Sequence, residues 1–279
     1  MPSRFLDADE ARRHAELRFD FGRKSLAGKV VLVAGGTGGL GTAIAALLLL
    51  DGAHVVLGYR SNRGRALIVQ QKLQDLHGGW VTLVDGDIAD PEVRSRYVTT
   101  ALDVKEEIYG LVALPGDPAR VKAADLDGAA LRASFSANFE GPVLLARACA
   151  EAMRLKRTRG AIVLLSSMQG VYPFEGSLAY ASPKAALVHA ARILAKEYGG
   201  AADIRVNVVA PGATTVGMAR GSIESGKYDT YVDRGVVPRF GRPEDVARVV
   251  RLLMEPDSYV TGQVVTVDGG LTLRRDVGA

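Results

Sequence analysis

The chain has 279 residues, 48% of them hydrophobic and 24% charged, which is globular composition with enough length for a substantial core and argues against disorder. The net charge of +4 is mildly basic, and the cluster Arg154, Lys156, Arg157 and Arg159 has no interleaved aromatics, so a solvated turn fits it better than a nucleic-acid surface. A single Cys149 excludes an internal disulfide, and the longest apolar run, Ala43 to Leu50, is too short to span a bilayer. With charged rather than apolar first residues, a reducing, cytoplasmic setting is expected.

Residues 1–27 form a charged N-terminal extension. Asp7 and Glu10 resemble a capping box and predict a helix from Asp7, and Phe5, Leu6, Phe19 and Phe21 offer docking points if the segment is not mobile. From Lys29 onward short apolar runs alternate with longer helical patterns. Val30–Ala34, His54–Gly58, Trp80–Val84, Tyr109–Leu114, Ala161–Ser167, Arg205–Val209 and Gln263–Val267 are near-continuously apolar, as parallel strands covered on both faces should be. Leu40–Leu50 and Arg63–Leu76 read as helices between them. This alternation predicts an α/β protein in which residues 28–279 form one Rossmann-type domain, a doubly wound parallel sheet of about seven strands with helices on both faces. The segment 212–242 is long for a connection and follows a strand's carboxyl end, which makes it a candidate substrate lid.

The first strand runs into Gly35-Gly36-Thr37-Gly38-Gly39-Leu40-Gly41. Gly35 suits the tight turn, Gly39 lets a phosphate approach the backbone, and Gly41 permits close packing of helix on strand. A glycine turn alone could also serve another nucleotide, a methyl donor, or nothing. The second strand refines the reading. It ends in Tyr59-Arg60-Ser61-Asn62-Arg63, with no carboxylate for a ribose hydroxyl and with Arg60, and Arg63 behind it, to attract a 2′-phosphate. Unless Arg60 is merely solvated, NADP(H) is the expected cofactor.

Further along, Ser167 ends an apolar run, and Tyr180-Ala181-Ser182-Pro183-Lys184 opens a helix with Pro183 expected in its first turn. Residues four apart share a helix face. A tyrosine near its free pKa of about 10 is a poor base at neutral pH, and a nearby ammonium together with oxidised nicotinamide can bring it down. An isolated Tyr-x-x-x-Lys is more often a core aromatic beside a solvated lysine. Its place after a dinucleotide turn and Ser167 points instead to hydride transfer between a nicotinamide and a carbonyl or alcohol.

Taken together, residues Leu26 to Leu273 resemble the short-chain dehydrogenase/reductase family, and most of all its 3-oxoacyl-acyl-carrier-protein reductases. The resemblance is carried by the glycine turn, Ser167, Tyr180 and Lys184, and also by Asn138, Asp87-Ile88, Asn207, Pro211-Gly212, Gly241 to Ala247 and the ending Tyr259 to Gly270. It implies a catalytic set of Asn138, Ser167, Tyr180 and Lys184, with Tyr180 as general acid, Ser167 polarising the carbonyl, Lys184 lowering the Tyr180 pKa and holding nicotinamide ribose, and Asn138 holding a water. It implies cofactor contacts at Gly35, Thr37, Gly39, Leu40, Gly41, Arg60, Ser61, Asp87, Ile88, Gly116, Pro211, Gly212 and Thr214, besides Tyr180 and Lys184. It further implies a homotetramer and a small carbonyl or alcohol substrate, which an acyl carrier protein can present.

Three positions depart from the family pattern. Ala34 replaces a threonine, Ala113-Leu114-Pro115-Gly116 stands where Asn-Asn-Ala-Gly is usual, and Val216 takes a threonine's place, leaving Thr214 or Thr215 to substitute. A shift of the adenosine-side backbone is expected from the second departure. An NADP-dependent dehydrogenase of a sugar, polyol or steroid-like alcohol is the other enzymatic reading, and a catalytically idle nucleotide sensor is the non-enzymatic one. His14, His54, His77 and His189 have no ligand spacing, so no metal is expected.

Overall fold

The computed structural model describes residues 24–77, 79–119, 121, 125–226 and 228–274. The helix expected from Asp7 and its flanking phenylalanines lie outside these. Seven parallel strands, β1 (Val30–Ala34), β2 (His54–Tyr59), β3 (Val81–Asp85), β4 (Gly110–Ala113), β5 (Gly160–Leu165), β6 (Ile204–Pro211) and β7 (Val264–Val267), form one sheet in the order β3-β2-β1-β4-β5-β6-β7. The order reverses between β1 and β4, so a crevice opens at their carboxyl ends.

The continuous apolar runs divide between two cores. Val30, Leu32 and Ala34 face one layer, made by α3 (Pro91–Lys105), α5 (Gly141–Lys156) and α6 (Leu178–Tyr198). Val31 and Val33 face the other, made by α1 (Gly39–Leu50), α2 (Arg63–His77) and α9 (Pro243–Leu253). Every β1 side chain is thus removed from water, which explains the absence of alternation in its sequence. Cys149 belongs to the first core, and burial pushes its thiol up to about 12, leaving it a small hydrophobe. Among the described residues no helix is long and apolar enough to cross a membrane.

Local chemistry sets the helix ends that frame the crevice. Asp90 accepts from the Glu92 N–H at 2.8 Å ahead of Pro91, and Asp127 accepts from the Ala130 N–H at 2.8 Å to start α4 (Gly128–Phe135). Helix α4 continues through a π-helical turn, Ser136–Glu140, directly into α5. The turn's wider spacing carries Asn138 inward to complete burial. Helix α6 starts at Leu178 rather than Tyr180, which puts Pro183 in its second turn instead of its first. Its missing N–H is therefore one that a regular helix would have used. The guanidinium of buried Arg205 closes the far end of α9, donating to the carbonyls of Leu253 at 2.9 Å and Glu255 at 2.6 Å.

The segment 212–242 is not structureless. It holds α7 (Arg220–Glu224) and α8 (Asp229–Asp233), and its two ends pair through a parallel bridge between Thr214 and Gly241. The Thr215 N–H donates to Gly241 O and the Gly241 N–H to Ala213 O, both at 2.9 Å. Val236 and Val237 then pack with Met168 and with Leu271 of α10 (Leu271–Arg274).

Candidate active site

A cleft of about 740 Å³ lies at the carboxyl ends of β1, β4, β5 and β6. Its floor on one side is the glycine turn. Gly35 has φ +75°, a conformation costly for any residue with a Cβ, and Gly41 sits so close that a Cβ there would lie 2.5 Å from Gly35 O. Gly39 faces Val216, whose Cβ would be 2.5 Å from an added methyl, so the valine covers the turn where a threonine was expected. Gly38 caps α1 without a side chain, and the first-turn N–H groups of Gly39, Leu40 and Gly41 face the cleft with the helix dipole behind them. Such an end suits the pyrophosphate of a dinucleotide.

Thr37 does not line the cleft. Its carbonyl accepts from Arg65 Nε at 2.8 Å, which brings a further arginine, Arg65, to the glycine turn. Nothing in the sequence marked it except its place in the first turn of α2. Arg60 is exposed beside Ser61, with Nη1 4.0 Å from Asp87 Oδ2. Both partners are solvated, so the pair is weak and leaves Arg60 free to take a better anion. Asp87 also accepts from the Ala89 N–H at 3.0 Å, and Ile88 is buried against Gly141. Tyr97 Oη donates to Tyr59 O at 3.3 Å, with Gly86 O at 3.4 Å, tying the ends of β2 and β3 together beneath Arg60 and Asp87. Tyr97 was not among the expected residues.

Ser167, Tyr180 and Lys184 meet in the same cleft, together with Gly116, Pro211, Gly212 and Thr214. Strand β5 stops at Leu165, and Ser167 caps the 3₁₀ turn Met168–Gly170 by accepting from the Gln169 N–H at 3.2 Å. Thr214 is buried and donates to Val216 O at 3.4 Å, which occupies its hydroxyl within the loop. Lys184 is 2% exposed, donates to Leu165 O at 3.0 Å, and has no ion pair among the described residues. Desolvation without a countercharge lowers its pKa to about 8.

The phenol is governed first by burial. Desolvation in the cleft raises the Tyr180 pKa above its ordinary value, and the Ser167 hydroxyl only works against that rise. Lys184 Nζ stands 5.9 Å from the ring centroid. Burial of both groups is the reason: the medium that holds Lys184 less charged also resists ionising Tyr180. The protein by itself keeps a protonated phenol.

Asn138 lies behind the cleft wall. Its Oδ1 accepts from the Asp117 N–H at 3.2 Å, and its Nδ2 donates to Asp117 O at 2.9 Å. This two-way grip holds the chain just beyond Ala113-Leu114-Pro115-Gly116, and β4 pairs with β1 and β5 through Ala113. The Leu114 N–H still donates to Ala34 O at 3.1 Å despite the missing threonine hydroxyl. Gly116 is pinched between Asn138 and Lys184: a Cβ there would lie 2.6 Å from Asn138 Oδ1 and 3.1 Å from Lys184 Nζ. Among the described residues no group of His, Cys, Asp or Glu is arranged to hold a metal ion.

The family model described as enoyl-(acyl carrier protein) reductase matches residues 34–272. Over 257 residues the chain is 34% identical to the rabbit (Oryctolagus cuniculus) dehydrogenase/reductase SDR family member 4, covering 90% of this chain and 96% of that protein. It is 32% identical to the 3-oxoacyl-[acyl-carrier-protein] reductase of Thermotoga maritima, covering 89% of this chain and 99% of that one. Among solved structures, a 7α-hydroxysteroid dehydrogenase complexed with NADH and 7-oxoglycochenodeoxycholic acid superposes with a TM-score of 0.83 at 29% identity, covering 90% of this chain and 97% of that one. With the glycine turn, the seven-stranded sheet and the serine, tyrosine and lysine in one cleft, the chain belongs to the short-chain dehydrogenase/reductase family of oxidoreductases.

Proposed function

We propose that the protein is an NADP(H)-dependent carbonyl reductase of the 3-oxoacyl type. The observation that carries this reading is the sharing of one cleft by Ser167, Tyr180, Lys184 and the open amino terminus of α1. In this reading Gly39, Leu40 and Gly41 bind pyrophosphate through their N–H groups. Arg60, Ser61 and Arg65 receive the 2′-phosphate, Asp87 and Ile88 border the adenine, and Gly116, Pro211, Gly212 and Thr214 border the nicotinamide. Bound there, the cofactor supplies the hydride. Ser167 donates a hydrogen bond to the substrate oxygen and stabilises the charge that grows on it. Tyr180, kept protonated by burial, gives its phenolic proton to the same oxygen, and Lys184 steadies the phenolate that results. Asn138 fixes the wall that carries Gly116 against Lys184.

One observation favours a second reading. Glu175 and Gln169 line the cleft, and Glu175 has no hydrogen-bond or ion-pair partner among the described residues. A free carboxylate accepts hydrogen bonds from substrate hydroxyls, which suits a sugar, a polyol or another hydroxylated alcohol, and it repels an acidic carrier. The net charge of +4 works the other way, attracting an acidic acyl carrier protein to the surface as a whole. An idle nucleotide sensor is disfavoured because all four residues of the reactive set are present.

The test is NADPH consumption with 3-oxoacyl thioesters, free and carrier-bound, beside sugar, polyol and steroid ketones. Turnover of the thioesters above all others supports the leading reading. Turnover only of hydroxylated ketones moves the assignment to the second, and cofactor binding without any turnover moves it to the sensor. The reading also includes a cytoplasmic homotetramer and a substrate lid made by residues 212–242.

A further inference from the structure

Ser134 is buried on α4, 3% exposed, and no pattern in the sequence singles it out. Its surroundings fix the direction of every bond it makes. Asn138 cannot turn its amide, because the Asp117 peptide donates to Oδ1 and accepts from Nδ2. Nδ2 must therefore donate to Ser134 as well, at 3.1 Å to Oγ and 3.1 Å to its carbonyl. With its oxygen accepting from Asn138, the hydroxyl has one proton left to give, and it gives it to Ala179 O at 2.6 Å.

That carbonyl is one that the catalytic helix leaves open. In α6 the partner of Ala179 O would be the N–H of residue 183, and residue 183 is Pro. Ala179 immediately precedes Tyr180, and it is buried, so an unpartnered carbonyl there would be costly. We propose that Ser134 is a positioning residue: its hydroxyl supplies α6 with the hydrogen bond that Pro183 removes and thereby locks the segment bearing Tyr180 to Asn138, which abuts Lys184 across Gly116. Three otherwise separate pieces, the continuous helix of α4 and the π turn, the Asp117 loop and the start of α6, then move as one unit. The hydrogen-bond exchange stands on geometry alone. Its catalytic consequence rests on Tyr180 being the proton donor of the proposed reductase.

A double-mutant cycle on the full chain tests it, with Ser134→Ala, Pro183→Ala and the two combined, each measured for Tm, kcat and KM for NADPH. Ser134→Ala alone should lower Tm by about 3 °C and kcat on the order of tenfold, leaving KM for NADPH nearly unchanged. In the Pro183→Ala background residue 183 offers an N–H to Ala179 O, and the same serine change should cost much less in both readings. Ser134→Thr, which keeps the hydroxyl, should retain kcat. If Ser134→Ala does not fold, Ser134→Cys, a weaker donor, runs the same cycle. Equal losses from the serine change with and without Pro183 overturn the proposal, as does an unaltered Ser134→Ala protein. Should the native protein reduce no carbonyl in the panel, the reductase reading falls, while the Tm cycle still decides whether Ser134 stands in for the helix bond.

Discussion

Lys184 Nζ lies 5.9 Å from the centroid of the Tyr180 ring and donates its hydrogen bond to Leu165 O at 3.0 Å, not to a carboxylate. A buried lysine held this way weakens the fold to serve the site. Its folded-state pKa of about 8 is below the ordinary 10.5, so the folded protein binds fewer protons than the unfolded chain between those values. Stability must then rise with pH across that window, and the burial penalty is fully present below pH 8. The full difference corresponds to roughly 3 kcal/mol, of which the bond to Leu165 returns about 1 kcal/mol. Lys184→Met should raise Tm of the cofactor-free protein at pH 7, with the gap closing as pH climbs above 8. A methionine variant less stable than the native protein at pH 7 contradicts the argument.

Proton donation should rest on Tyr180. Tyr180→Phe keeps the ring and removes the proton, so kcat should fall by about 10²–10⁴-fold with NADPH binding retained. Ser167→Ala should also reduce kcat by weakening support of the developing oxyanion, and it removes the group that opposes the upward shift of the phenol. Near-native turnover by Tyr180→Phe in a steady-state assay would falsify the mechanism.

Much of this fold is legible in the sequence. The central strands could be read because both their faces are buried, which leaves Val30 to Ala34 uninterrupted by polar residues. The glycine turn could be read because its spacing is dictated by backbone geometry, and the meeting of Tyr180 and Lys184 in one cleft because a helical turn fixes the distance between them. What escaped depends on tertiary neighbours. Arg65 reaches Thr37 only because α2 is rotated as it is, and no local signal sets that rotation. Pro183 was expected in a first turn, where a missing N–H costs nothing, and its place in the second is tolerated through Ser134, forty-five residues from the carbonyl it serves. The rise in the Tyr180 pKa is likewise a property of burial, which spacing does not encode.

Cofactor preference should be for NADPH, with Arg60 and Arg65 both contributing. Arg60→Asp puts a second carboxylate beside Asp87 and should reverse the preference. Arg65→Met should weaken NADPH by about 10–100-fold, the range of one charge-assisted hydrogen bond, and leave NADH nearly unaffected. Fluorescence titrations in which native protein binds NADH as tightly as NADPH refute the assignment.

Assembly should exceed the monomer. Helix α6 turns Pro183, Leu187, Val188 and Ala191 to its own sheet, so Ala181, Ala185, Ala186 and Ala190 are not consumed by that packing. Leu178 and Ile193 on the same helix are 61% and 46% exposed, which leaves apolar side chains at both ends of that face for a symmetric partner. Sedimentation at micromolar concentration should give a tetramer, or at least a dimer, and Ala185→Arg should shift it toward smaller species. A native protein that sediments only as monomer rules the interface out.

The loop 212–242 should behave as a lid hinged on a fixed base. Its ends are paired through Thr214 and Gly241, and Val236 and Val237 are anchored against Met168 and Leu271, so neither end is free to swing. Between them, Gly217 and Gly226 hold φ of +70° and +73°, and Met218, Ser222 and Tyr228 face the cleft. Helices α7 and α8 have five residues each, too short to be stable without packing partners. In the free protein, amides from 217 to 228 should therefore exchange faster than those of Thr215 and Gly241, whose bonds close the base. Cofactor and substrate together should slow that central stretch and leave the base unchanged, because closure excludes water from Ser167 and Tyr180 and strengthens both of their bonds to the carbonyl. Hydrogen exchange that is already slow from 217 to 228 without ligand, and does not respond to it, means the segment is fixed packing and the cleft is closed by something else.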